Sequence, residues 1–250
     1  MPLWRRPPPL VTRLALIALL FALWEISGRY ANRLFFRPLS EVIDAGAELL
    51  KDANAQHAIV TTFWELSLSF ALSVIVGIMI GMVVSSGRLI YQSTYPIILL
   101  IYAIPQITVL PLFVLYFGPG PASKVAFGFS HGVFPIILNV VGGVQSVDKL
   151  LLASARSMGA TRWKVFQRIV FPHLVPSLFT GMRLAMTACL LGVILGELYV
   201  SSGGIGFLTR HYTETFRPDR LFALVGVLAL LAIVLNESLR RAEMHFSAWR

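Results

Sequence analysis

Charge is what this chain has least of: 13% of its 250 residues are charged, against about 25% in ordinary soluble domains. Apolar residues make up 56% and the mean hydropathy is +0.75, so an ordinary soluble domain is excluded and a membrane protein is expected. Cysteine is nearly absent. Cys189 stands alone inside an apolar run, which excludes a disulfide framework and gives no handle on redox compartment. No metal-ligand spacing and no nucleophile–base pair is present, and G-x-x-x-x-G-K-[ST], the phosphate-cradling loop of many ATPases, is missing. The run 14–24 after Arg5, Arg6 and Arg13 ends in Trp24-Glu25-Ile26 without an A-x-A-like site close behind. It therefore reads as an uncleaved first membrane helix rather than a signal peptide. Neither end carries a lipidation motif, and the two halves show no internal repeat.

What is present is a series of long greasy blocks. A helix needs about 20 apolar residues to cross the hydrocarbon core, and six segments qualify: 10–27, 59–84, 95–117, 123–144, 176–200 and 221–237. Pro105 and Pro111 interrupt the third and Pro135 the fourth, which membrane helices tolerate when neighbours satisfy the freed carbonyls. Six spans put both termini on one side. The net charge of +9 follows topology rather than nucleic acid, because most basic residues flank apolar blocks. Twelve Lys and Arg fall on the side of the termini, the Arg88 turn and the loop 149–168, against eight on the other, Lys124 among them. By the positive-inside rule both termini and that loop are cytoplasmic. Residues 38–56 read instead as an amphipathic helix flat on the outer interface, with packing as its role, or docking of an outside partner.

The loop 150–172, LLLASARSMGATRWKVFQRIVFP, is polar, basic and rich in small residues. Asp148 is placed to cap a helix starting near Lys149. Leu151, Ala155 and Met158 then share a face, and Gly159 suits the left-handed residue that ends it. Thr161 would cap a second helix, 162–171, lying along the inner membrane face and closed by Pro172. Trp163, Phe166, Ile169 and Val170 form its apolar side. Ala153, Ser154, Ala155, Gly159 and Ala160 leave the first helix with little side-chain bulk, so a partner's backbone can come close.

The order Ala153-Ser154-Ala155, Gly159 and then Ile169-Val170-Phe171-Pro172 resembles the "EAA" loop of importer-type ABC transporter permeases, a Glu-Ala-Ala triplet with a glycine and a late I-x-L-P. The likeness runs from about residue 35 to 241 and is strongest with permeases of the nitrate, taurine and aliphatic sulfonate subgroup. It is carried by Thr62-Phe63-Trp64-Glu65-Leu66-Ser67-Leu68, Ile104-Pro105, Leu110-Pro111-Leu112, Tyr116-Phe117-Gly118, Phe134-Pro135, Val144-Gln145-Ser146-Val147-Asp148 and Ser202-Gly203-Gly204-Ile205-Gly206. The resemblance implies an all-α polytopic membrane protein of the type I ABC importer kind, a single transmembrane permease domain over 1–250 with its coupling segment at 149–172. It implies multi-pass residence in a bacterial inner membrane and no cofactor of its own, ATP being bound and hydrolysed by a separate ATPase subunit.

The partners implied are an ATPase subunit dimer, a second permease copy, a periplasmic or lipid-anchored solute-binding protein and the lipid bilayer, with no nucleic acid. Leu151, Ala153, Ser154, Ala155, Met158, Gly159 and Ala160 would form the ATPase-coupling surface. One departure stands out: the triplet's glutamate is Ala153 here and its middle alanine is Ser154. A lost carboxylate near a helix start forfeits about 0.3–1 kcal/mol of dipole interaction, and any contact it makes to the ATPase.

Polar groups at membrane depth are expensive and tend to be functional. Gln106, Ser130, His131 and Asn139 are the candidates for a translocation path, although a carbonyl on a neighbouring span would equally satisfy His131. Arg183 is expected to snorkel to the inner face. Glu65 and Glu197 read as interface residues or partners of outer arginines, with a proton relay as the remote alternative. Gly77/Gly81, Gly128/Gly132 and Gly192/Gly196 are small-x-x-x-small pairs, suited to packing within the subunit or to a dimer seam. An ion-coupled secondary transporter is the rival function, but it calls for intramembrane carboxylates or repeated half-helices.

Overall fold

A computed structural model describes residues 9–247. Arg5, Arg6 and Arg250, counted above toward orientation, lie outside them. Among the described residues there is no strand. The helices are α1 Pro9–Tyr30, α2 Leu39–Leu49, α3 Ala53–Ser85, α4 Arg88–Tyr102, α5 Leu110–Phe117, α6 Pro121–Gln145, α7 Lys149–Ser157, α8 Arg162–Val165, α9 Phe171–Val200, α10 Ile205–Glu214 and α11 Pro218–Ser247.

The centre of the fold is α3, α6 and α9, and their glycines show why. A methyl group added at Gly77 would sit 2.8 Å from Ile136, and one at Gly81 2.7 Å from Val140. On the other flank of α6, a methyl at Gly128 would meet Ser69 Oγ and Val193 at 2.7 Å, and Gly132 abuts Cys189 and Ser73. Gly192 and Gly196 seat α9 against His131 and Lys124. All three glycine pairs therefore pack within the subunit, where close backbone approach replaces the hydrophobic drive that lipid removes. Ser69 and Ser73 reach across the same seam toward the Val125 and Phe129 carbonyls, at 3.1 and 3.2 Å.

Several boundaries differ from those the sequence predicts. The third span is interrupted at Pro105 as expected, but as a sharp break: α4 and the stretch Gln106–Phe117 meet at 82°. Pro105 supplies no amide and pushes the preceding Ile104 out of the helical region. The amphipathic segment ends at Leu49, and α3 begins at Ala53 because Asp52 caps it, accepting the Asn54 amide at 2.9 Å. Val42, Ala45 and Leu49 are buried in a cluster with Ala223 and Leu224 of α11, so α2 serves packing.

Pro172 does not close a helix. α8 passes through a π-helical turn, Phe166–Val170, into α9, giving one helix from Arg162 to Val200. A proline ring collides with the carbonyl four residues back, and the wider π turn sits where that collision would fall. The second loop helix is thus the foot of the fifth span rather than a separate piece along the membrane face. Its buried residue is Val165, while Trp163 is 63% exposed. The first span, α1, is exposed along most of its length. It is held at one end by Trp24, which donates to the Arg37 carbonyl at 3.1 Å and packs against Phe36 and Phe222.

Candidate functional site

The loop helix α7 is built as its residues predict. Asp148 accepts the Leu150 amide at 2.8 Å. At the other end Gly159 takes φ +76°, the Ala160 amide reaches the Ala155 carbonyl at 3.0 Å and the Gly159 amide reaches that of Arg156 at 3.0 Å. This crossed pair is a Schellman closure, which needs a left-handed residue at its centre. Thr161 then caps α8 through the Lys164 amide, at 3.4 Å. Stops at both ends make α7 a short rigid rod between two turns.

No residue of α7 is fully buried. Leu152 and Ala155 are half-buried and face the bundle, whereas Leu150, Ala153, Ser154, Ser157 and Met158 are exposed. Leu151 and Gly159 are exposed as well, and Ala160 is half-buried. The expected shared face of Leu151, Ala155 and Met158 therefore flanks the exposed surface, which is centred on the small residues Ala153, Ser154 and Ser157.

Three of the four path candidates come together at the break in the third span. Gln106 Nε2 donates to the Ser130 carbonyl at 3.2 Å. The Ser130 hydroxyl donates to the Phe127 carbonyl at 2.7 Å, and His131 Nδ1 lies 3.0 Å from that same oxygen. His131 is thus satisfied by a carbonyl of its own helix, one turn back, and not by a neighbouring span. Asn139 stands apart. It donates to the Pro135 carbonyl at 2.8 Å and lies in the α6–α9 seam against Gly181. All four are half-buried.

A second polar cluster was not legible in the chain. Lys124, 4% exposed, forms an ion pair with Glu65, which is fully buried, and donates to Ser201 Oγ at 3.0 Å. Beside it the buried Glu197 takes the Thr62 hydroxyl at 2.7 Å on one oxygen and the Gly206 amide at 2.8 Å on the other. Thr62 also accepts the Ile205 amide at 2.9 Å. Glu197 and Thr62 thereby cap α10 from two other helices, and the partial positive charge of that helix start offsets the second carboxylate. This corrects the expectation that Glu65 and Glu197 pair with outer arginines. Arg210 instead donates to the Leu198 and Ser201 carbonyls at the end of α9, at 3.1 and 3.2 Å. The available signal was a polar residue every turn of α3, from Thr62 through Glu65 and Ser69 to Ser73, opposite a lysine near the start of a span. The carboxylates that an ion-coupled transporter would use are committed to holding helices together. Arg183 pairs with Glu243 at 3.2 Å, close to the C-terminal end of α11.

Long apolar helices joined through glycine seams, a broken span beside a polar cluster and a capped rod projecting at one end define a polytopic membrane transport component. Residues 73–243 match the family described as binding-protein-dependent transport system inner membrane component. The formylaminopyrimidine transport permease ThiX of Halalkalibacterium halodurans is 28% identical, over 93% of each chain. The taurine transport system permease TauC of Escherichia coli is 26% identical, over 94% of this chain and 87% of its own. In fold, the chain resembles the MetNI methionine ABC transporter in an inward-facing conformation, with a TM-score of 0.67 at 16% identity over 76% of this chain and 94% of that one. The chain belongs to the binding-protein-dependent inner membrane component family. It is an inner membrane permease component of a binding-protein-dependent transport system.

Proposed function

We propose that two copies of this chain, each a single permease domain, enclose a path for a small solute. Two ATPase subunits grip the α7 rods, and a solute-binding protein delivers cargo at the opposite end. ATP is bound and hydrolysed by the ATPase alone, with both termini of the permease on the α7 side. The observation that carries this reading is the rod: capped at Asp148, closed at Gly159, exposed on a small-residue face and continuous through Thr161 with the 39-residue helix Arg162–Val200. At 1.5 Å per residue that helix is roughly 58 Å long, nearly twice the hydrocarbon core of about 30 Å. Movement imposed on α7 therefore reaches the far side through one continuous lever. ATP need favour one permease state by only a few kcal/mol, through contacts that differ between the states.

The solute class is small and polar. Taurine and formylaminopyrimidine are named for two relatives, and a sulfonate or nitrate fits the same subgroup. Gln106, Ser130 and His131, gathered where the third span breaks, supply the path's polar contacts, with Asn139 deeper in the seam. The test is Gly159→Glu in the assembled transporter, reconstituted in proteoliposomes. No L-residue adopts φ +76° without strain, so the rod's closure is lost. ATP hydrolysis is expected to continue while solute uptake falls at least tenfold. Normal uptake by this variant would remove α7 from the coupling role.

A further inference from the structure

The loop bearing α7 differs in charge from the opposite end of the bundle. There Arg29, Arg33, Arg37, Lys124, Arg210, Arg217 and Arg220 have carboxylate partners, and only Lys51 has none among the described residues. In the loop, Lys149, Arg156, Arg162, Lys164 and Arg168 form no ion pair among the described residues. The loop's one acid, Asp148, is used as the α7 cap. Two of the five cations, Arg156 and Arg162, line a cavity of about 630 Å³ between α7 and the α8–π turn. Ser86, Leu152, Ala160, Val165, Phe166 and Val170 complete its lining. Immediately beside it Trp163, 63% exposed, stacks on Phe166 at 5.7 Å, and Phe171 is 48% exposed. Exposed aromatics where a span begins mark the level of the membrane interface.

A cavity lined by two free guanidinium groups, a serine and the apolar side chains of Leu152, Val165, Phe166 and Val170, next to exposed aromatics, fits an amphiphile with an anionic head. Guanidinium forks match phosphate oxygens in geometry as well as charge. We infer that this cleft seats the headgroup end of an anionic phospholipid, with Arg156 and Arg162 on the phosphodiester and the first acyl carbons on Leu152, Val165, Phe166 and Val170. The occupant lies under the face of α7 opposite Ala153, Ser154 and Ser157. It braces the rod from the membrane side without competing for the exposed face.

The experiment uses the complete permease–ATPase complex in nanodiscs of phosphatidylcholine and phosphatidylglycerol. Retained phosphatidylglycerol is measured by native mass spectrometry on monodisperse fractions. Replacing both cleft arginines, R156Q/R162Q, is expected to lower retention roughly tenfold or more, since each cation near an anionic surface contributes appreciably. K149Q/K164Q, with equal charge loss outside the cleft, should retain lipid as the wild type does. Equal losses in both variants would reduce the effect to diffuse surface charge and overturn the site. Displacement of the lipid by inorganic phosphate would assign the cleft to a free anion instead. Unchanged lipid with loss of the ATPase subunit would assign the arginines to the ATPase. A second measurement needs no arginine variant: with the other tryptophans replaced by phenylalanine, brominated phosphatidylglycerol should quench Trp163 well beyond brominated phosphatidylcholine. Equal quenching by the two lipids counts against the site.

Discussion

A lysine 4% exposed among three helices is tolerable only because Glu65 and Ser201 take its charge and its protons. Removing one member of a buried pair strands the other, at a cost of about 3–5 kcal/mol, while replacing both with apolar residues is often close to neutral. Lys124→Met should therefore lower the melting temperature of the detergent-solubilised permease sharply, and K124M/E65L should recover most of the loss. Equal melting of wild type and K124M would mean that the pair is not desolvated as drawn. Glu197 acts differently, because its two oxygens serve a hydroxyl and an amide. Glu197→Ala should cost about 1.5–3 kcal/mol and release α10, whereas Glu197→Gln, which keeps an acceptor for one donor, should cost less. Hydrogen exchange at Ile205 and Gly206 distinguishes the two: fast in the alanine variant, intermediate in the glutamine one. Thr62 belongs to the same joint, and its partners lie 135 and 143 positions away. That separation is why single-residue reading placed neither carboxylate correctly.

Among the elements, the caps were the most legible and the prolines the least. Asp148, Gly159 and Thr161 act through the backbone within a few residues, so their local sequence predicts them. Asp148→Ala should weaken the start of α7 by about 0.5–2 kcal/mol, seen as faster amide exchange at Leu150–Leu152 with global melting unchanged. A proline has more than one outcome. Pro105 breaks the third span, Pro135 is carried inside α6, and Pro172 follows a π turn that lets the helix continue. Neighbouring helices decide among these by supplying or withholding partners for the freed carbonyls. The glycine seams are equally specific. Gly81→Leu would drive a side chain into Val140, where an added Cβ alone comes within 2.7 Å. Overpacking of that kind typically costs about 1–3 kcal/mol. The same substitution at Gly142, with nothing within 4 Å of its Cβ position, should be nearly silent in the same thermal assay.

For the molecule as a whole, the tight unit is α3, α6 and α9, closed at one end by the Glu65–Lys124 and Glu197–Thr62 joint. Around it α1 is attached near one terminus, and the broken third span leans on α6 through Gln106 and Ser130. Orientation is testable at this scale. The native cysteine is buried, so a cysteine introduced at Ser154 or at the exposed Ser202 reports alone. An impermeant maleimide should label Ser202→Cys from outside intact spheroplasts and Ser154→Cys only in inverted vesicles. The reverse pattern would invert the whole assignment.

The amino-acid sequence by itself determined that the chain is a helical membrane protein, roughly where its spans lie, and how the loop helix α7 starts and stops. Those properties depend on apolar length and on hydrogen bonds between near neighbours along the chain. Only the tertiary structure decided that Glu65 pairs with Lys124, that Glu197 caps a helix beyond its own span and how sharply the third span bends. Each is settled by which surfaces meet in a medium without water, where every buried charge and freed carbonyl must find its partner on whichever helix packs against it.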